Sequence, residues 1–175
     1  ATGPASLYVY VTNVTVLPAL IADRLIADLD LTWDGVEKWR PRLHRLLGDY
    51  VELLAQRGEL ARAVMFVWPD GPHYLDLINL LVRFLQAAGA DDRSVAWGID
   101  LLLQHASTTA AEWAERVSAT SQDLDDLAET LSTADAERYP ALAAFATETF
   151  TAGGHDERRR WALAILINGI TATKR

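Results

Sequence analysis

DRSVAWGIDLLLQHASTTAAEWAERV, Asp92 to Val117, is the longest stretch of this chain with unbroken helical spacing. A helix turns by about 100° per residue, which puts Val95, Ile99, Leu102, Ala106, Ala110 and Trp113 on one face. Trp97 and Leu101 begin a second apolar face that continues through His105 to Thr108. The run Ala106-Ser107-Thr108-Thr109-Ala110-Ala111 is small throughout, which permits close approach by another helix.

The flanking segments repeat the helical pattern, and none shows a sustained period-two alternation of the strand type. Upstream, Gly89 and Asp91-Asp92 read as the stop of one helix and the start of the next. The helix before them, His73 to Ala88, carries Asp76, Asn79, Arg83 and Gln86 three and four apart on one polar stripe. It follows the breaker Trp68-Pro69-Asp70-Gly71-Pro72 and a short helix from Glu59 to Val67. A helix from Pro41 to Arg57 turns Leu43, Leu46, Leu47, Tyr50, Val51 and Leu54 inward, with Gly58 as its stop. Gly48 inside it reads either as close helix packing or as room for a ligand beside His44 and Leu47. Thr32 to Arg40 is a connector, and the first long helix is expected to use Val14, Leu17, Ile21, Leu25 and Leu29 as its inward stripe.

Downstream, Ser118 to Glu137 holds six acidic residues and no Lys or Arg, and reads as a solvated loop with a short helix around Leu124 to Leu131. Tyr139-Pro140-Ala141-Leu142 opens a helix to about Phe150, Gly153-Gly154 breaks it, and Asp156 to Thr173 forms the last. From Trp161 to Ile170 only Asn168 is polar, so this helix needs cover on every side. In a chain of this size a second subunit is the expected cover. The fold class is all-α.

Half of the 175 residues are apolar and 23% are charged, a balance that folds into a core rather than staying disordered. The net charge of −8 argues against nucleic-acid binding through the overall field and leaves room for a small local element. The absence of Cys rules out disulfides and thiolate chemistry and fits a reducing cytoplasm, the expected location. The longest apolar runs are too short to span a bilayer, so no membrane partner is expected. No Glu-x-x-His pair, Gly-rich phosphate loop or Ser elbow appears, and His73 with Asp76 is too little for a metal site. The chain is therefore expected not to be an enzyme and to need no cofactor or metal.

The first residues sharpen the reading. Leu7, Tyr8, Val9, Tyr10 and Val11, followed by Thr12, Asn13 and Val14 and then by Leu17, resemble the end of the DNA-binding domain of the tetracycline-repressor (TetR) family. There a short recognition helix ending in Leu-Tyr-x-His-Phe is followed by a turn and a helix leading into the regulatory domain. Tyr10 stands in the usual His place, and Val9 and Val14 stand where basic residues are common. Arg24 is the first cation in the chain. The Trp39-Arg40 entry, the Tyr139-Pro140-Ala141-Leu142 element and the apolar last helix follow the family's order and extend the resemblance over nearly the whole chain.

The resemblance implies residues 1–30 as the end of a helix-turn-helix domain and its connecting helix, with two further helices expected before Ala1, and residues 31–175 as a ligand-binding and dimerisation domain. It also implies a homodimer joined by a four-helix bundle, for which Ala106, Ala110, Trp113, Trp161, Ile165, Leu166 and Gly169 are the expected contacts. A cavity is implied between the connector and the Pro41, His73 and Asp92 helices. Trp39, His44, Leu47, Trp68, Ile78, Trp97, Leu101, Gln104 and His105 are its expected lining, since aromatic walls and a few polar atoms suit a hydrophobic or aromatic effector. Each Trp or His taken alone reads as core, and the case for a lining rests on the set. On the DNA side, Ser6 and Tyr8 would be contacts to a double-stranded operator beside Pro4, with Tyr10 and Thr12 as hydroxyl donors to phosphate. The expected function is ligand-responsive transcriptional regulation, as a repressor; the alternative is a relative that dimerises and binds a small molecule but no longer binds an operator.

Overall fold

The computed structural model describes residues 17–64, 69–118, 122–145, 149 and 152–173. Eight helices are found among the described residues, and no strands. They are α1 (Leu17–Ile26), α2 (Trp39–Ala55), α3 (Gly58–Val64), α4 (Pro72–Ala87), α5 (Asp92–Ser118), α6 (Gln122–Ser132), α7 (Pro140–Ala143) and α8 (His155–Ala172).

The long helix is the centre of the fold, with α2, α3, α4 and α8 all packed against α5. Its start is set where sequence places it. Gly89 takes the left-handed conformation (φ 78°) that glycine adopts without strain, and Asp91 then accepts hydrogen bonds from the Ser94 amide at 2.9 Å and the Ser94 hydroxyl at 3.1 Å. The polar stripe of α4 faces water as expected, and Leu77, Leu80, Leu81, Phe84 and Leu85 are buried behind it. Along α2 the residues expected to turn inward are all buried.

Three local expectations are corrected. Gly58 does not stop α2: the helix ends through Gln56 in an ordinary right-handed conformation, and Gly58 begins α3. Its lack of a side chain serves packing instead, because a β-carbon there would stand 2.8 Å from that of Ala114 on α5. The inward stripe of α1 is Ala19, Ala22, Asp23 and Ile26, while Ile21 is exposed and Leu17, Leu25 and Leu29 are half-buried. The small residues of α1 pack toward α4, and Leu17 and Ile21 line an apolar groove with Leu60 and Ala63 of α3. The Pro140 helix ends at Ala143.

Two polar contacts hold the connecting segments. Arg42 is buried, and its guanidinium donates to the Thr32 carbonyl at 3.0 Å and meets the Asp30 carboxylate at 3.1 Å. Trp33 packs on Phe84 with ring centroids 4.9 Å apart. At the head of α4 the N-cap position is Gly71, which has no side chain to offer. The cap comes across space from α1: Asp23 accepts a hydrogen bond from the Tyr74 amide at 2.8 Å, and a β-carbon on Gly71 would overlap the Asp23 carboxylate.

Candidate ligand-binding site

Where α2, α5 and α8 meet, a cavity of about 260 Å³ opens from the core toward solvent. One wall is α2, through His44, Leu47, Gly48 and Val51. The second is α5, through His105, Ala106 and Thr109. The third is the first half of α8, through Arg159, Arg160 and Leu163. Arg45, Asp49 and Glu52 complete the lining. Gly48 leaves room on the α2 wall, since a β-carbon there would stand 3.5 Å from the Arg159 guanidinium, an ordinary contact.

Charge in the cavity is largely paired within the protein. Arg159 donates to the Gly48 carbonyl at 3.3 Å and to Asp156 at 3.1 Å, lies 3.9 Å from Glu52, and sits over the Trp113 ring at 5.8 Å. Arg45 holds both carboxylate oxygens of Glu37, at 2.9 and 2.7 Å. Against these pairs, Nε2 of His105 is buried and has no hydrogen-bond partner among the described residues.

Both imidazoles are held below the ordinary histidine value. For His44 the cause is loss of water and then the charge of Arg40; for His105 it is loss of water, partly offset by Glu112. The folded state therefore takes up these protons less readily than the unfolded chain. That contribution to stability is intact above about pH 6.5 and is lost as the pH falls from there through the folded values. Lowering the pH from about 7 to about 5 should lower the thermal midpoint, and His105→Gln should flatten part of that slope. An unchanged slope would place His105 in water.

A second polar group lies deeper. Tyr50 hydrogen-bonds to Ser107, and its hydroxyl is raised above the usual tyrosine range by burial. Tyr74 is pushed up to about 12, by burial first and then by Tyr50 and Asp100. Both phenols stay protonated and act as neutral groups of the core.

The expected lining divides into three sets. His44, Leu47 and His105 do converge on the cavity. Trp39 and Ile78 are half-buried against the core, with Arg40 over the Trp39 ring at 5.0 Å, and neither lines this cavity. Trp97, Leu101 and Gln104 lie on the exposed side of α5, Trp97 with 58% of its surface open and Arg93 over its ring at 5.3 Å. Trp68 lies outside the described residues, as do Pro4, Ser6, Tyr8, Tyr10 and Thr12.

The expected dimer contacts divide in the same way. Trp161 (68% exposed), Ile165 and Gly169 face out from α8, and Leu166 is half-buried. Ala106 and Ala110 are buried inside the subunit, and Trp113 is half-buried beneath Arg159. Ala106 and Ala110 thus pack within the subunit together with Val95, Ile99 and Leu102, while Trp97 and Leu101 stand on the exposed face of α5. Arg159, Arg160 and Leu163 are cavity residues that the sequence reading missed; the run Arg158-Arg159-Arg160 was the available signal.

The helical arrangement has close counterparts. Residues 33–174 match the family described as "Tetracyclin repressor-like, C-terminal domain". The fold is similar to that of SCO7704 of Streptomyces coelicolor, crystallised as a candidate transcription regulator, at 39% identity and a TM-score of 0.80, covering 99% of this chain and 81% of that one. It is similar also to ActR of Streptomyces coelicolor, solved without ligand (25% identity, TM-score 0.84) and in complex with actinorhodin (25%, 0.85), in each case over 98% of this chain and 82% of that one. Among curated proteins none matches significantly. With the family matched over most of its length and a relative at 39% identity over nearly all of it, the chain belongs to the tetracycline-repressor family of transcription regulators and carries its C-terminal domain.

Proposed function

We propose that the chain is the effector-binding, dimerising body of a cytoplasmic repressor whose hold on a DNA operator is controlled by a small apolar or aromatic effector. The observation that carries this reading is the cavity between α2, α5 and α8, walled by Leu47, Val51, Ala106 and Leu163, with His44 and His105 also in its lining. A ligand shifts an equilibrium only if it binds the two arrangements with different affinity. A cavity with one wall on each of three helices would meet that condition wherever occupancy changes their separation. ActR, solved with actinorhodin bound, supplies a relative of the same fold in which a small molecule is held.

Trp97 and Leu101 on α5 and Trp161 and Ile165 on α8 form an outward apolar flank on two helices that pack against each other. Exposed apolar area of this kind marks a contact surface, and a four-helix bundle with a second copy would cover it. DNA contact is assigned to the first residues, with Ser6 and Tyr8 beside Pro4 reaching bases and Tyr10 and Thr12 donating to phosphates. No described helix is long and apolar enough to cross a membrane.

Val9 and Val14, where cations are common, favour a second reading: a relative that dimerises and binds its ligand without an operator. A gel-shift assay of the complete gene product on its own upstream DNA separates the two. The first reading expects a specific shift that weakens steeply as salt rises. A full-length protein that gives none belongs to the second.

A further inference from the structure

We propose that the α2–α5–α8 cavity selects a small monocarboxylate, whose apolar body lies against Leu47, Val51, Ala106 and Leu163 and whose carboxylate meets the guanidinium of Arg160. The proposal rests on reading this cavity as the effector site and adds the charge of what enters it.

Three observations carry it. The first is how the charges of the lining are matched. Among the described residues the guanidiniums of Arg45, Arg159 and Arg160 share the lining with the carboxylates of Asp49 and Glu52. Arg45 is held by both oxygens of Glu37 and has Asp49 one turn away on α2, which further favours its charged form. Arg159 is held by Asp156, with Glu52 3.9 Å away. Both acids of the lining therefore answer to a guanidinium other than that of Arg160, which meets no carboxylate among the described residues.

The second is how Arg160 is held. Its Nε donates to the Asp156 carbonyl, one turn back, at 3.1 Å, and its Nη1 and Nη2 have no partner among the described residues. Those two nitrogens form the end-on fork that matches the two oxygens of a carboxylate. A hydroxyl or a ketone has one oxygen and cannot match both. Arg160 is also exposed, so a carboxylate that meets it keeps part of its water and little desolvation opposes the pair.

The third is the rest of the wall. Leu47, Val51, Ala106 and Leu163 come from three helices and give the body of a ligand an apolar seat. At about 260 Å³ the cavity is smaller than the roughly 300 Å³ at which sites for drug-sized ligands begin, so the occupant is small.

Octanoate, 1-octanol and octylammonium share one apolar body and differ in the charge of the head. Titrating each into the full chain below its micelle-forming concentration, read by calorimetry, tests the assignment. Octanoate is expected to bind saturably and tighter than the other two. Arg160→Gln should weaken octanoate about fivefold, the weight of one part-exposed bidentate pair, and leave octanol unchanged. Gly48→Leu should weaken both by filling the α2 wall. Octanol or octylammonium binding as tightly as octanoate overturns the proposal, as does an Arg160→Gln protein that keeps its octanoate affinity or loses octanol equally. Binding indifferent to Gly48→Leu overturns it by placing the ligand elsewhere, and the absence of saturable octanoate binding overturns it outright. Effects on the operator complex of the complete gene product are read separately. If octanol and octanoate release the operator equally, the effector reading stands and the carboxylate preference falls. If the expected affinities appear while the operator complex is unchanged, the carboxylate site stands and its role as effector site falls.

Discussion

Phe84→Ala should lower the free energy of unfolding by about 4 kcal/mol, enough to drop the melting midpoint by about 12 °C in a chain of this length. Phe84 is fully buried on α4, among Leu80, Leu81 and Leu85, and its ring meets Trp33 of the connector. Truncation removes the transfer energy of the ring and leaves a hole. The hole cannot close by a simple shift of the connector, because Arg83 donates to the Trp33 carbonyl at 2.6 Å and lies over its ring at 5.1 Å. Denaturant unfolding followed by circular dichroism reads the loss. Phe84→Leu, which refills most of the volume, should cost less than about half as much. A loss below about 1 kcal/mol for the alanine variant would mean that the connector collapses into the hole after all.

The second large effect is expected at the junction of α1 with α4. Asp23→Ala removes the acceptor that caps the Tyr74 amide of α4 and should cost about 2 kcal/mol, while Asp23→Asn keeps a side-chain oxygen there and should cost less. Gly71→Ala attacks the same contact from the other side, because its β-carbon would push the Asp23 carboxylate out of place. The informative measurement is therefore the double variant. Asp23→Ala with Gly71→Ala should cost clearly less than the sum of the two, since the shortened side chain makes room for the added methyl. Strict additivity would show that the two residues do not share the contact. α1 is next in sequence to the segment proposed to meet DNA, so this cap ties that end of the chain to the body.

Much of the fold was legible because local chemistry determines it. Gly89 and Asp91 mark a helix stop and start by backbone freedom and side-chain capping, and neither depends on what packs nearby. The exposed stripe of α4 is equally local. The faces of α5 were harder. Periodicity shows that two apolar faces exist, but not which partner each one meets, and small residues serve a neighbour in the same subunit as well as one in another. Here Ala106 and Ala110 serve the same subunit. The α1 stripe escaped for a related reason, since Ala19 and Ala22 carry little hydrophobic signal and a buried Asp23 carries none. At the site, His44, Leu47 and His105 could be picked out because a polar ring or a glycine neighbour stands out in an apolar helix. Arg159 could not, because a guanidinium in a run of three reads as solvated until Glu52, Asp156 and Trp113 are seen around it.

The meeting of α5 with the far end of α8 has a mechanical consequence. Gly98 has no side chain, and a β-carbon there would stand 2.8 Å from Ile170, while the Ser94 hydroxyl donates to the Thr173 carbonyl at 3.2 Å. This end of α8 is pinned. Its other end forms the cavity wall at Arg159 and Leu163, and from Arg159 to Ile170 the helix spans about 16 Å. A guest that pushed that wall outward, against the ties of Arg159 to Gly48 and Glu52, would load α8 as a lever about Gly98. Because Trp161 and Ile165 ride on the moving arm, the displacement would be written into the shape of the outward flank rather than absorbed in the core.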